Sequence, residues 1–231
     1  MSIAESTAAV LKNIESAALQ AGRDPHEILL VAASKMNDAA RVQQAIKAGV
    51  SICGENRVQE MLEKNGQGAY EGAKLHFIGH LQKNKVRQVV GLAELIHSAD
   101  SLPLISAINR EAEKKSIVQD ILLEVNIGNE ASKSGFSPDE IAGILDEISG
   151  FSSVRVRGLM AIPPICEISS ENRPYFERMK QLFVDNREKK YDNVCMDFLS
   201  MGMSGDYQEA IACGANMVRV GSAIFGARIY K

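Results

Sequence analysis

Several things are missing from this sequence, and each absence removes a class of protein. No apolar window approaches the length needed to span a bilayer. The amino terminus, Met1-Ser2-Ile3-Ala4-Glu5, lacks a basic region followed by an apolar block, so no signal peptide is expected. Cysteine is sparse: Cys53, Cys166, Cys195 and Cys213 are scattered without a C-x-x-C pair. They read as small buried hydrophobes of a reducing compartment, and the cytoplasm is the expected location. Basic charge is not in excess; a formal net charge of −3 argues against a nucleic acid or an anionic membrane surface as the main partner. No Gly-x-Gly-x-x-Gly follows the first apolar run, which removes the main support for an open dinucleotide-binding sheet.

What is present is the ordinary makeup of a globular protein, with 45% hydrophobic and 24% charged residues. A β/α barrel reaches the length of 231 residues as one domain. Ser2 and Glu5 have the spacing of a capping box, and Ile3, Val10, Leu11, Ile14 and Ala18 recur at helical spacing. Residues 1–22 are therefore expected to form an amphipathic helix that ends at Gly22 and packs on a barrel.

Beyond it, short apolar runs alternate with amphipathic stretches. The runs are Ile28–Ser34, Ser51–Gly54, Leu75–Gly79, Leu95–Ser98, Ile121–Asn126, Val154–Met160, Met196–Ser200 and Met217–Gly221. Between them lie Ala39–Ala48, Arg57–Lys64, Lys83–Val90, Pro103–Lys114, Asp139–Ile148, Arg173–Arg187 and Tyr207–Cys213. Strands separated by helices favour right-handed crossovers and a parallel sheet. Eight such runs predict a single (β/α)8 TIM-type barrel over residues 1–231, with the extra amino-terminal helix.

The loops that follow the strands carry the unusual residues, as a barrel with its site at the strand carboxyl ends requires. The first run delivers Lys35, and Asn37-Asp38 then cap the next helix. Desolvation at the edge of an apolar core disfavours an ammonium, by up to roughly 3–5 pKa units in the fully buried limit. A partly neutral amine attacks aldehydes and gives a Schiff base. Ser200-Met201-Gly202-Met203-Ser204-Gly205-Asp206 and Arg219-Val220-Gly221-Ser222 each follow a strand and open a helix or turn. Loops after the last two strands of a barrel frequently bind phosphate together. Arg219 and Gly221, two apart on a strand, point to one face. Asn56 either meets a ligand or caps the next helix, and His80 lines the mouth. His76 and His80 are separated by a strand end at Gly79 and form no metal pair. Lys133, in a polar loop, is expected to be solvated.

These residues, taken in order, resemble the pyridoxal phosphate homeostasis proteins. The likeness rests on Val31-Ala32-Ala33-Ser34-Lys35, Gly54-Glu55-Asn56, His76-Phe77-Ile78-Gly79-His80-Leu81-Gln82, Lys133-Ser134-Gly135, Gly158-Leu159-Met160-Ala161, Leu199-Ser200-Met201-Gly202-Met203-Ser204 and the segment from Arg219 to Gly226. It spans nearly the whole chain. The family has the barrel of the alanine racemase N-terminal domain, fold type III among proteins of this cofactor, and binds pyridoxal 5′-phosphate (PLP) on a lysine. The resemblance implies that Lys35 is that lysine, and that Ser200, Ser204, Gly221 and Ser222 lie in the phosphate-holding loops. It further implies that Arg219 faces the pyridine nitrogen and that Asn56 and His80 sit near the cofactor. Met36-Asn37 departs from the family, replacing a stretch that often carries a second lysine in bacterial members.

An arginine opposite the ring nitrogen discourages its protonation and leaves the ring a poorer electron sink. Racemases on this barrel add an acid–base residue from a second domain, whereas this chain is expected to stop where one barrel closes. The expected function is therefore PLP homeostasis, with the cofactor held as a Schiff base on Lys35 and delivered to apo PLP-dependent enzymes. No robust catalysis, no metal, no nucleic acid, no membrane and a monomeric state are expected. The alternative is a PLP-dependent amino-acid racemase-like enzyme, and a third reading is a cofactor-free Schiff-base aldolase.

Overall fold

A parallel strand between a barrel interior and a shell of helices is buried on both faces, and most strand residues here are buried. The computed structural model describes residues 1–164, 166, 168–188 and 191–226; positions 227–231 of the expected unit lie outside the described residues. Its strands are β1 (Leu29–Ala33), β2 (Ile52–Glu55), β3 (Lys74–Phe77), β4 (Leu95–Ala99), β5 (Gln119–Val125), β6 (Val154–Ala161), β7 (Val194–Ser200) and β8 (Met217–Val220). They pair in chain order, and β8 pairs back onto β1, closing the barrel. On β1 the alternation is plain: Leu30 and Ala32 join the layer under the helices, while Leu29, Val31 and Ala33 face the interior. Val31 meets Leu95, Leu122, Met160 and Met217 there in a small apolar plug. The amino-terminal end is closed by charge: Asp120 accepts two bonds from Arg155 and one from Arg157, which also pairs with Asp197.

The helices are α1 (Ile3–Gln20), α2 (Ala39–Lys47), α3 (Val58–Gly66), α4 (Val86–Val89), α5 (Leu102–Lys114), α6 (Ile141–Ile148), α7 (Arg173–Arg187), α8 (Tyr207–Ala212) and α9 (Ser222–Phe225). Ser2 and Glu5 form the capping box of α1, and Gly22, at φ 68°, ends it. Gly22 N–H reaches the Leu19 carbonyl and Arg23 N–H the Ala18 carbonyl, the paired bonds of a Schellman stop. The helix lies on the side of the barrel, against α2, α8 and α9. Arg23 then ties it down by donating to the carbonyls of Ile211 and Ala215 at 2.9 and 2.6 Å. The seam where β8 meets β1 is therefore covered.

One expectation changes in detail. Lys83–Val90 is not one helix: a 3-10 turn over Lys83–Lys85 precedes the single turn of α4. Ser101 and Ser204 stand before helices without capping them, since Ser101 Oγ donates to Asp100 and Ser204 bonds elsewhere.

β6 can lie against β7 only because position 158 has no side chain. Gly158 sits at φ 141°, and a Cβ there would fall 1.9 Å from the carbonyl oxygen of Phe198. Gly158→Ala is expected to lose at least about 2 kcal/mol of unfolding free energy in urea denaturation. An unchanged midpoint contradicts this packing.

Candidate functional site

Two residues beyond Ala33, Lys35 lines a cleft of about 250 Å³ at the carboxyl end of the barrel. Ser204, Arg219, Gly221 and Ser222, from the far end of the chain, line the same cleft. The approach is close: a Cβ on Gly221 would lie 3.2 Å from the Ala33 carbonyl oxygen. Ser204 Oγ accepts from the N–H groups of Gly221 and Ala223 at 3.1 and 3.4 Å, binding the loop after β7 to the turn that opens α9. A serine hydroxyl keeps one hydrogen of its own to donate. Asp206 fixes that loop from below, its Oδ1 accepting from Met203 N–H at 2.7 Å and its Oδ2 from Asn172 at 2.8 Å. On the other wall, Asn37 donates to the Lys35 carbonyl at 3.0 Å and accepts from Arg41 at 2.9 Å.

Arg219 forms the floor, only 4% exposed. Burial pushes its guanidinium down to about 10, against the pull of Glu124 and Asp206, so it stays charged at neutral pH. Nη1 donates to Ser200 Oγ at 2.6 Å and Nη2 to the Ala161 carbonyl at 2.9 Å. The polar column continues downward, with Ser200 Oγ 3.1 Å from His97 Nδ1 and His97 Nε2 3.0 Å from His76 Nδ1. Both imidazoles are neutral: burial pushes His76 down to about 3, and burial with His76 and Arg219 holds His97 well below its ordinary value. A guanidinium only donates, so Ser200 Oγ accepts from it at the top of the column. The guanidinium is thus aimed by residues that never reach the cleft.

The expected site residues separate into three places. Lys35, Ser204, Arg219, Gly221 and Ser222 share the cleft. Ser200 does not join a phosphate-holding loop: it is fully buried inside the barrel, and its hydroxyl is committed to Arg219 and His97. Asn56 and His80 line a neighbouring groove of about 470 Å³ with Arg57, Glu60, Gln82 and Lys85. His80 Nδ1 lies 3.1 Å from Asp100 there, and Arg57, not Asn56, stands at the start of α3. Lys133 is not simply solvated either; it pairs with Glu130 and donates to the Pro163 carbonyl at 3.0 Å, tying the loops after β5 and β6. His97 and Glu124 were unmarked in the motifs, although period-two parity with Leu95 and Leu122 points both inward. Among the described residues no group of His, Cys, Asp or Glu is placed to hold a metal ion, and no helix is long and apolar enough to cross a membrane.

Glu124 gives the site a pH signature. Burial and the charge of Asp100 push its carboxyl up to about 7, opposed by Arg219 and His80. A carboxyl raised above its ordinary 4.5 binds its proton more tightly in the folded chain. Its contribution is therefore favourable at low pH and is lost as pH rises from about 4.5 through about 7. Thermal unfolding of the chain and of Glu124→Gln across that window should diverge, with the variant gaining relative stability toward higher pH. Parallel curves contradict the assignment.

Comparison with known proteins agrees with this architecture. The family described as alanine racemase, N-terminal domain, matches residues 6–229. The pyridoxal phosphate homeostasis protein of Aquifex aeolicus is 40% identical over 235 residues, covering 100% of both chains. That of Pseudomonas aeruginosa is 39% identical, over 99% of this chain and 96% of its own. The structure of PipY from Synechococcus elongatus with PLP bound superposes with a TM-score of 0.82 at 30% identity, over 97% of this chain and 100% of that one. A barrel closed in this order, with these sequence relatives over its full length, places the chain in the alanine racemase N-terminal domain family, among the pyridoxal phosphate homeostasis proteins.

Proposed function

We propose that this chain holds PLP in the cleft between β1 and β8, attached covalently at Lys35, and passes it to apo forms of PLP-dependent enzymes. In this reading it works in the cytoplasm as a monomer and serves vitamin B6 homeostasis without turning over a substrate of its own. One observation carries the proposal: an amine, a buried guanidinium and a hydroxyl-bearing turn, from opposite ends of the chain, line a single cleft. The names of its relatives favour the homeostasis role over the racemase alternative.

The donor set fits the cofactor. Lys35, Arg219, Ser204 and Ser222 all offer hydrogens, and Lys35 and Arg219 offer positive charge, which suits a ligand with an anionic end and a ring acceptor. When bound, PLP supplies a reactive aldehyde and an electron-withdrawing ring. Lys35 contributes the nucleophilic nitrogen. Arg219 would offer N–H to the lone pair of a ring nitrogen and, staying charged itself, would disfavour a proton there. Ser204 and Ser222 would offer their hydroxyl hydrogens to phosphate oxygens.

Lys35→Ala should abolish the visible absorbance of the PLP-loaded chain, its borohydride-stable mass increase, and transfer to an apo-acceptor. Ser204→Ala should keep the covalent attachment but weaken retention by about 1–2 kcal/mol in equilibrium dialysis. Full colour and an undiminished mass increase in Lys35→Ala contradict the proposal.

A further inference from the structure

Behind the wall that carries Lys35, between β1, β2 and α3, lies a charged cluster that plays no part in lining the cleft. Glu55 is 0% exposed and Lys64 is 5% exposed. Lys64 Nζ lies 2.8 Å from Glu55 Oε1, 2.7 Å from the Ser34 carbonyl oxygen and 2.7 Å from Glu60 Oε1. An ammonium has three hydrogens, and these three acceptors use them all. Glu55 Oε1 also accepts from Ser34 Oγ at 2.5 Å and from Tyr70 at 3.1 Å. Glu60 Oε1 in turn accepts from the backbone N–H of Met36.

Stability alone is a poor reason for this arrangement. Removing a cation and a carboxylate from water is costly, and packed apolar residues of similar volume commonly stabilise as well or better. Where the bonds end is more telling. They fall on the carbonyl and hydroxyl of Ser34 and on the amide of Met36, so the residues on either side of Lys35 are gripped from behind. Met36 is held at φ 62°, a left-handed conformation that a side chain with a Cβ seldom adopts. Strain of this kind persists where surrounding contacts over-determine it. The Glu60 bond to the Met36 amide is one such contact.

We propose that Lys64, with Glu55 and Glu60, is the positioning assembly of Lys35. It fixes the turn from Ser34 to Met36 so that the amine is presented into the cleft, and it governs covalent capture of an aldehyde more than the grip on the rest of the ligand. The proposal rests on the reading of Lys35 as the attachment point. In the step concerned, the neutral Lys35 amine adds to the aldehyde carbon. Its two hydrogens leave with the carbonyl oxygen as water, and a carbon–nitrogen double bond replaces the carbon–oxygen one.

The test compares PLP with pyridoxine 5′-phosphate, which carries an alcohol in place of the aldehyde and forms no such bond. The full chain and its Lys64→Met, Glu60→Ala and Glu60→Gln variants are followed by absorbance and borohydride-fixed mass for PLP, and by calorimetry for pyridoxine 5′-phosphate. Lys64→Met and Glu60→Ala should slow covalent capture at least about 10-fold, with affinity for pyridoxine 5′-phosphate unchanged. Glu60→Gln, which keeps an oxygen for the Met36 amide, should recover most of the rate. If Lys64→Met does not fold, Glu60→Ala decides alone, since that side chain is 19% exposed at the rim of the cluster. Capture at the native rate in a folded Glu60→Ala overturns the proposal. So does an equal loss of affinity for both ligands, the mark of a merely structural role. Lys35→Ala is run in parallel: an adduct that survives there overturns the attachment reading itself.

Discussion

The pairing of β8 with β1 is the constraint on which the site depends. Val31 lies opposite Arg219 and Ala32 opposite Val220, so the inward set of one strand is the neighbour of the inward set of the other. Adjacent strands stand about 4.8 Å apart, and the residues that leave their carboxyl ends are consequently held side by side. Lys35 on one side and Gly221 with Ser222 on the other are brought to one cleft in this way. Gly221 shows how little slack remains, because even a methyl group there would press on Ala33. The amino-terminal helix fits the same account. By packing over α2, α8 and α9 and anchoring Arg23 on two carbonyls, it clamps the closure from outside.

Two buried polar systems serve the two sides of the cleft. Inside the barrel, a cation that cannot be neutralised at physiological pH sits almost out of water. It is tolerable because Ser200 and the Ala161 carbonyl accept its hydrogens, and because the histidines beneath are neutral and add no repulsion. Outside the barrel wall, Lys64 and its carboxylates hold the turn around Lys35. The result is a cleft whose directing groups donate hydrogens. Under the proposed function, such a surface suits an anionic aldehyde by charge and by nucleophile together.

Much of this could be read from residue order. Both-face burial made β1 visible as an unbroken apolar run, and Lys35 at its end falls at the carboxyl-end rim of the barrel. Other parts were less legible, for physical reasons. A motif groups Ser200 with Ser204, but strand parity sends Ser200 inward with Phe198 while Ser204 lies past the strand in the loop. Sequence position after a strand tells which rim a residue occupies, not which sector of it; Asn56 and His80 are at the rim, in the adjoining groove. Ser204 bonds across to the turn that opens α9, a tertiary choice that local spacing does not encode. Glu60 and Lys64 have ordinary i,i+4 spacing, but their link to Glu55 and Ser34 arises only when α3 packs on the barrel wall and is not legible in the sequence.

The central claim is that one particular amine, set opposite a buried arginine by barrel closure, takes the cofactor. Its most direct test is to load the chain with PLP, reduce it with borohydride, digest it, and map the pyridoxyl group by mass spectrometry. The account predicts the group on Lys35 alone. A pyridoxyl group on Lys64, Lys133 or another lysine, with Lys35 unmodified, contradicts it.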